Sequence, residues 1–272
     1  MISIIPSQDN LIKETQLLAK HWGFNYSEII PKNSTSPFYL QLTPQHLELI
    51  QTGKNSPGSI FVDFTAGQVA HRRLYGGGKS QTIAKAIGIN KISKPLILDA
   101  TAGMGKDAFV FASLGARVIM MERSPISAAL LSDGLQRAAH DDDIADIIQN
   151  ISFIFGDARQ LNTSIQLKEI PDIIYLDPMF PHRNKSAAIK KEMLAFQQLI
   201  GEDLDSDELL DICRKVAKQR VVVKRPIKAE FLNHTKPSYS MKMKKHRFDV
   251  YGCTSVVLGR TPEMTDIYGC EK

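Results

Sequence analysis

The stretch 96–107, LILDATAGMGKD, constrains this chain more than any other, because it compresses a strand, a glycine turn and a helix start into twelve residues. Leu96, Ile97 and Leu98 form a short apolar run suited to the interior of a parallel sheet, and Asp99 ends it. Gly103 and Gly105 permit backbone angles that a side chain would forbid, so a ligand can approach the main chain. The turn Gly103–Ala108 also fits the glycine pattern of a dinucleotide-binding βαβ unit. A carboxylate at the strand end, however, repels a pyrophosphate and welcomes a cationic ligand with an amino-acid part. S-adenosyl-L-methionine is such a ligand.

The pattern of an acid at the end of an apolar run repeats. Residues 117–121 read as a second strand running into Glu122, which lies 23 residues beyond Asp99, about where nucleoside-binding βαβ folds place a carboxylate for the ribose hydroxyls. Ser124 caps and Pro125 opens the next helix, whose Ile126, Leu130, Leu131 and Ala138 share a face. A third strand, 151–155, precedes Asp157 and Ala158, and Asp157 is a candidate acceptor for an adenine amino group. In an open parallel sheet these carboxyl ends converge on one ligand-binding edge.

The fourth strand, 172–176, runs into Asp177-Pro178-Met179-Phe180-Pro181, the most specific motif in the chain. An exocyclic base amine is a poor nucleophile, because its lone pair is delocalised into the ring. A site that methylates it must hold the amine hydrogens and turn the lone pair toward the methyl group. Asp177 and the Pro178 carbonyl are suitable acceptors, and Phe180 can stack on the base. The three cysteines, Cys213, Cys253 and Cys270, follow no strand in such a motif, so nitrogen rather than carbon is the expected acceptor atom.

The formal charge is +5, and residues 181–260 hold 17 Lys and Arg against nine acids, which favours a polyanionic partner such as RNA. A basic loop, 71–79, with Arg72, Arg73 and Lys79 leads into an expected helix at 81–87. Its GGGKS is not a phosphate loop, since the required earlier glycine is Arg73. Arg183 and Lys185 flank the DPMFP loop, and an expected strand at 220–224 ends in Lys224 and Arg225, read as phosphate contacts on the same rim. Segments 248–253 and 255–258 suggest a closing antiparallel pair. No CxxC or HExxH spacing points to a metal, no apolar run reaches the ~20 residues of a membrane span, and the cytosol is the expected compartment.

Residues 1–60 read as a small unit with a helix near 11–22 and strands near 38–42 and 59–64. The expected division is a small N-terminal subdomain at 1–75, a basic loop and linker helix at 76–92, the main domain at 93–260 and a tail at 261–272.

Taken in order, FVDFTAG, AHRRLYGGGKSQTIAKAIG, DATAGMGKDAFVFASLGARV, MERSP, YLDPMFPHRNKSA and RVVVKRP resemble the RsmJ family of bacterial small-subunit ribosomal RNA guanine-N2 methyltransferases. The resemblance implies an α/β, Rossmann-like class I fold with a mostly parallel seven-stranded sheet and a small N-terminal α/β extension. It implies S-adenosyl-L-methionine as donor and N2 of one guanine in 16S RNA as acceptor. By position, the cofactor contacts would be Lys106, Asp107, Glu122, Arg123, Asp157, Ala158 and Asp177, beside Asp99, Gly103 and Gly105 of the turn. A nicotinamide-dependent oxidoreductase and a non-catalytic RNA-binding assembly module remain the alternatives at this point.

Overall fold

The computed structural model describes residues 2–30, 36–53, 56, 58–66, 77–179, 199 and 206–254. Its centre is a seven-stranded sheet built from β5 (Leu96–Asp99), β6 (Arg117–Glu122), β7 (Ile151–Phe155), β8 (Ile173–Leu176), β9 (Arg220–Pro226), β10 (Tyr239–Lys242) and β11 (His246–Gly252). The strand order is β10-β11-β9-β8-β5-β6-β7. From β7 to β9 all neighbours are parallel, and β11 runs antiparallel to both its neighbours, β9 and β10.

Strict alternation explains why short apolar runs became its inner strands. Ile97, Val118, Met120, Ile173, Tyr175 and Val222 enter one hydrophobic cluster. Leu96, Leu98, Ile119, Met121, Ile174, Leu176, Val221 and Val223 enter a second. Successive side chains leave opposite faces of a strand, so a strand covered on both sides must be apolar throughout.

A smaller sheet of β1 (Ser3–Pro6), β2 (Asn25–Tyr26), β3 (Phe38–Leu42) and β4 (Leu47–Gln51) in the order β2-β1-β3-β4 carries α1 (Ile12–Trp22). Its Ile4, Leu40 and Leu49, with Val62 and Phe64, join the first cluster, so the N-terminal unit shares a core with the main sheet. The helices of the main unit are α2 (Thr82–Ile87), α3 (Lys106–Ser113), α4 (Pro125–Ala138), α5 (Ala145–Ile148) and α6 (Ser206–Val216). Gly134 of α4 lets the two units approach closely, since a Cβ there would overlap Val62. Arg137 donates to the Val62 carbonyl one turn further along.

Two local expectations are corrected. The segment 59–64 makes only one bridge, Ile60 to Leu49, rather than a strand. The partners of β11 are β9 on one side and β10 on the other, so both its edges are taken by strands that precede it in the chain. Segment 255–258 lies outside the described residues. The sequence reading missed β1, β2 and β4 of the small sheet and β10 of the large one; β10 reads YSMK and lies at the sheet edge, where half-exposed residues give no period to detect.

Candidate active site

The parallel strands deliver their acids to one edge. Asp99 closes β5, Glu122 closes β6, Asp157 follows β7 by two residues and Asp177 follows β8 directly. The glycine turn between β5 and α3 lies among them. Gly103 (φ +53°) borders open space, with nothing within 4 Å of where a Cβ would sit. Gly105 (φ +71°) is instead packed beneath, its missing Cβ 2.8 Å from Leu131 Cδ1 and 3.1 Å from Phe64 Cζ.

Glu122 is a structural part of this turn. It accepts from the Gly103 amide at 2.8 Å and from the Ser124 amide at 2.7 Å. Asp99 is 2% exposed and accepts from the Thr101 amide at 3.2 Å. Burial, and then the neighbouring Asp107 carboxylate, push its carboxyl well above the ordinary range against the pull of that amide, with Asp177 and Glu122 adding to the push. A positive group placed there would relieve a cost the protein already carries.

Asp157 caps the short turn Ala158–Gln160 by accepting from the Arg159 amide at 2.9 Å, and it pairs with the Arg159 guanidinium. Burial pushes Asp157 up, but Arg159 and Arg123, the latter 3.8 Å away, outweigh it and hold the carboxyl below its usual value. Ala158 is buried beside it. Lys106, at the first position of α3, is exposed.

The fourth edge group is tied to the turn that follows β5. The Asp177 amide donates to Thr101 Oγ1 at 2.7 Å, which fixes the start of the DPMFP loop against the glycine turn. Lys224 of β9 donates to Asp177 Oδ2 at 2.7 Å and to Asp107 Oδ2 at 3.0 Å. Asp107 Oδ2 also accepts from the Tyr175 hydroxyl at 2.7 Å. Burial would lower the Lys224 ammonium, yet Asp177 and Asp107 together hold it well above its normal value. Asp177 moves upward because burial and Asp107 outweigh the pull of Lys224.

The rim read from the sequence is therefore corrected in part. Lys224 and Arg225 are successive residues of a strand and leave opposite faces. Lys224 turns to the two carboxylates, and its ammonium is spent on them rather than on a phosphate. Arg225 is 3% exposed and donates to the Glu230 carbonyl from Nε and Nη2, so it is a buried loop anchor and not a rim cation. Lys79 is exposed in the turn Gly78–Ser80. Arg72, Arg73, Phe180, Arg183 and Lys185 lie outside the described residues. Pro178 is buried.

The sequence reading gave no role to the β10–β11 hairpin. His246 opposes Pro226 at the end of β9, which brings the hairpin turn to the same edge of the sheet as Lys224. Lys242 at the end of β10 and Lys244 and Lys245 of the turn are exposed, and none forms an ion pair with a described residue. The thiols of Cys213 and Cys253 are pushed up to about 12 and about 11 by burial, far from a reactive thiolate. Among the described residues no group of three His, Cys, Asp or Glu side chains could hold a metal ion, and no helix is long and apolar enough to cross a membrane.

An α/β sheet of this order, with acids at four successive strand ends around a glycine turn, matches known proteins over nearly its whole length. The family model described as "Putative SAM-dependent methyltransferase" matches residues 18–253. A protein named ribosomal RNA small subunit methyltransferase J, from Colwellia psychrerythraea, is 52% identical over 237 residues, covering 86% of this chain and 86% of its own. The chain belongs to the ribosomal RNA small subunit methyltransferase J family. The Tolumonas auensis member is 54% identical over 217 residues, with 79% of this chain and 86% of that one covered. A solved SAM-dependent methyltransferase from Neisseria gonorrhoeae is 36% identical, covers 93% of this chain and 96% of that one, and superposes with a TM-score of 0.73. Membership in the methyltransferase J family makes S-adenosyl-L-methionine the cofactor and removes the nicotinamide alternative that the glycine pattern had left open.

Proposed function

We propose that the chain methylates the exocyclic N2 amine of one guanine in small-subunit (16S) ribosomal RNA, in the cytosol. The single observation that carries this reading is the place of Asp177. Its carboxylate opens the DPMFP loop at the ligand edge of the sheet, and its amide is pinned to Thr101 two residues after Asp99. The names of the methyltransferase J relatives support ribosomal RNA as the substrate.

The donor set fits the cofactor. Asp99 and Asp107 are anionic groups for a cationic amino-acid part, Gly103 leaves the main chain open, and Glu122 and Asp157 lie at the strand ends where ribose and adenine would be held. Gly105, Lys106, Arg123 and Ala158, which follow the same strand ends, complete this assignment as cofactor contacts. When bound, S-adenosyl-L-methionine supplies an electrophilic methyl group on a sulfonium. Asp177 and the Pro178 carbonyl then accept the amine hydrogens, so the nitrogen lone pair faces the methyl group. Phe180 stacks on the base, a contact worth roughly 1–3 kcal/mol. N2 gains the methyl as the S–CH3 bond breaks to leave a neutral thioether, and the proton it loses passes to solvent. Positioning and electrostatics carry the rate, with no covalent enzyme intermediate. Lys79, Arg72, Arg73, Arg183 and Lys185 are assigned to the RNA backbone.

The test is methyl transfer from labelled S-adenosyl-L-methionine to unmodified small-subunit RNA or particles, with intact protein and with Asp177→Ala. N2-methylguanine formed by intact protein, and reduced about a hundredfold or more in the variant, is the expected result. Full biological effect retained by Asp177→Ala would instead identify a non-catalytic assembly module.

A further inference from the structure

Lys224 stands between two carboxylates that come from different halves of the site. Asp107 belongs to the helix that follows the glycine turn, on the cofactor side, and Asp177 opens the loop that would receive the base. The ammonium reaches Asp107 Oδ2 at 3.0 Å and Asp177 Oδ2 at 2.7 Å. Tyr175, fully buried in β8, donates to the same Asp107 oxygen at 2.7 Å, so that oxygen is held from two sides. Among the described residues Asp177 Oδ1 receives no donor.

We propose that Lys224 is a positioning residue for methyl transfer: by bridging Asp107 and Asp177 it engages Oδ2 of Asp177 and leaves Oδ1 turned to accept from the target amine. The inference rests on the guanine-N2 reading above. A carboxylate serves that reaction only as an acceptor, because a protonated Asp177 would offer a donor to an amine that is itself a donor. The groups facing Asp177 are Asp99 from β5, Asp107 from α3, Tyr175 from β8, Lys224 from β9 and His246 from β11. Of these, Asp99 and Asp107 favour its protonation. Lys224 and, when charged, His246 oppose it, and Lys224 is the one in direct contact. Without the ammonium, three neighbouring carboxyl groups share one edge, and like charges at such range do not all ionise together. The bridge also ties the cofactor-side helix to the acceptor loop, so the two reacting groups keep one relative placement.

This role differs from a phosphate contact in what its loss does. The experiment compares wild type, Lys224→Met and Lys224→Arg, measuring kcat, KM for small-subunit RNA, the salt dependence of KM and the pH profile of kcat. S-adenosyl-L-methionine binding by calorimetry serves as a check on folding. The expected result for Lys224→Met is a kcat reduced at least about tenfold at neutral pH. KM for RNA and its salt dependence stay near wild type. The acid limb moves to higher pH by about one unit or more, because the cation that favours ionised Asp177 is gone. Lys224→Arg, which keeps the charge, should recover most of the limb position and part of kcat. A raised KM with unchanged kcat and acid limb would make Lys224 a phosphate contact and overturn the proposal. Equal losses in both variants with an unmoved acid limb would show a merely structural role and overturn it as well. Absence of N2-methylguanine from the wild-type product overturns the reaction assignment itself, which separates that failure from one confined to Lys224.

Discussion

Glu122 accepts the Gly103 amide with one carboxylate oxygen and the Ser124 amide with the other, at 2.8 and 2.7 Å, so a single side chain joins the glycine turn to the start of α4. Hydrogen bonds to a charged acceptor contribute about 1.5–3 kcal/mol each, and a buried N–H left without its acceptor is costly. In Glu122→Gln one oxygen becomes an amide nitrogen that faces another donor. The expected outcome is a loss of about 1–3 kcal/mol in stability together with roughly tenfold weaker S-adenosyl-L-methionine binding. Denaturant unfolding and titration calorimetry check the two parts, and a variant with wild-type values for both would refute the double role.

The two glycines of the turn should respond differently to one added methyl. At Gly105 the Cβ meets Leu131 Cδ1 at 2.8 Å on a backbone already at φ +71°. Gly105→Ala is expected to cost about 2–4 kcal/mol through overpacking and strain. At Gly103 the Cβ enters open space, so Gly103→Ala should cost only about 1–2 kcal/mol for the left-handed backbone. Its larger effect should fall on cofactor affinity, because the methyl occupies the face left bare for a ligand. Unfolding curves and calorimetry in parallel would show the opposite ranking if Gly103 were the packed position.

The edge of acids was legible because it rests on local chemistry. Buried parallel strands must be apolar throughout, so the residue that breaks each run announces the strand end, and Asp99, Glu122 and Asp177 are such residues. What the side chains touch was not legible. Lys224 and Arg225 look alike as letters, and only the alternation of β9 and its neighbour β8 sends one to Asp177 and buries the other against the Glu230 carbonyl. That Glu122 also holds the glycine turn was not legible, because its backbone partners lie 19 residues back at Gly103 and two ahead at Ser124, contacts that need the folded turn. The strand β10 escaped for a related reason: an edge strand exposed on one side needs no apolar run.

Asp99 gives a pH dependence whose sign follows from its surroundings. Burial and the Asp107 carboxylate raise its folded value above the ~3.9 of an unfolded chain, so the folded state binds more protons between the two values. Stability from this group is complete below the unfolded value and is lost as pH rises through the folded one. Asp99→Asn keeps the acceptor for the Thr101 amide and removes the buried charge. The ligand-free variant should therefore gain melting temperature over wild type at pH 8, with little gain near pH 4. Saturating S-adenosyl-L-methionine should raise the melting temperature of wild type more than that of the variant. Melting scans across pH, with and without cofactor, test both statements, and a variant less stable than wild type at pH 8 would contradict the first.

The hairpin turn between β10 and β11 offers the cations that Arg225 does not. Lys242, Lys244 and Lys245 are exposed and make no ion pair with a described residue, and His246 beside them opposes Pro226 at the end of β9. If they meet RNA phosphates, replacing all three by Gln removes up to three charges that would displace counterions. The slope of log affinity against log salt then flattens by about 0.7–0.9 for each phosphate no longer neutralised. KM for RNA should rise at physiological salt, while kcat, cofactor affinity and melting temperature hold, since exposed lysines carry little of the fold. Arg225→Gln should do the reverse, because its guanidinium is buried on the Glu230 carbonyl: lower stability with an unchanged salt slope. Binding measured across a salt series for both variants decides between them, and an unchanged slope in the triple variant would place the RNA on another face.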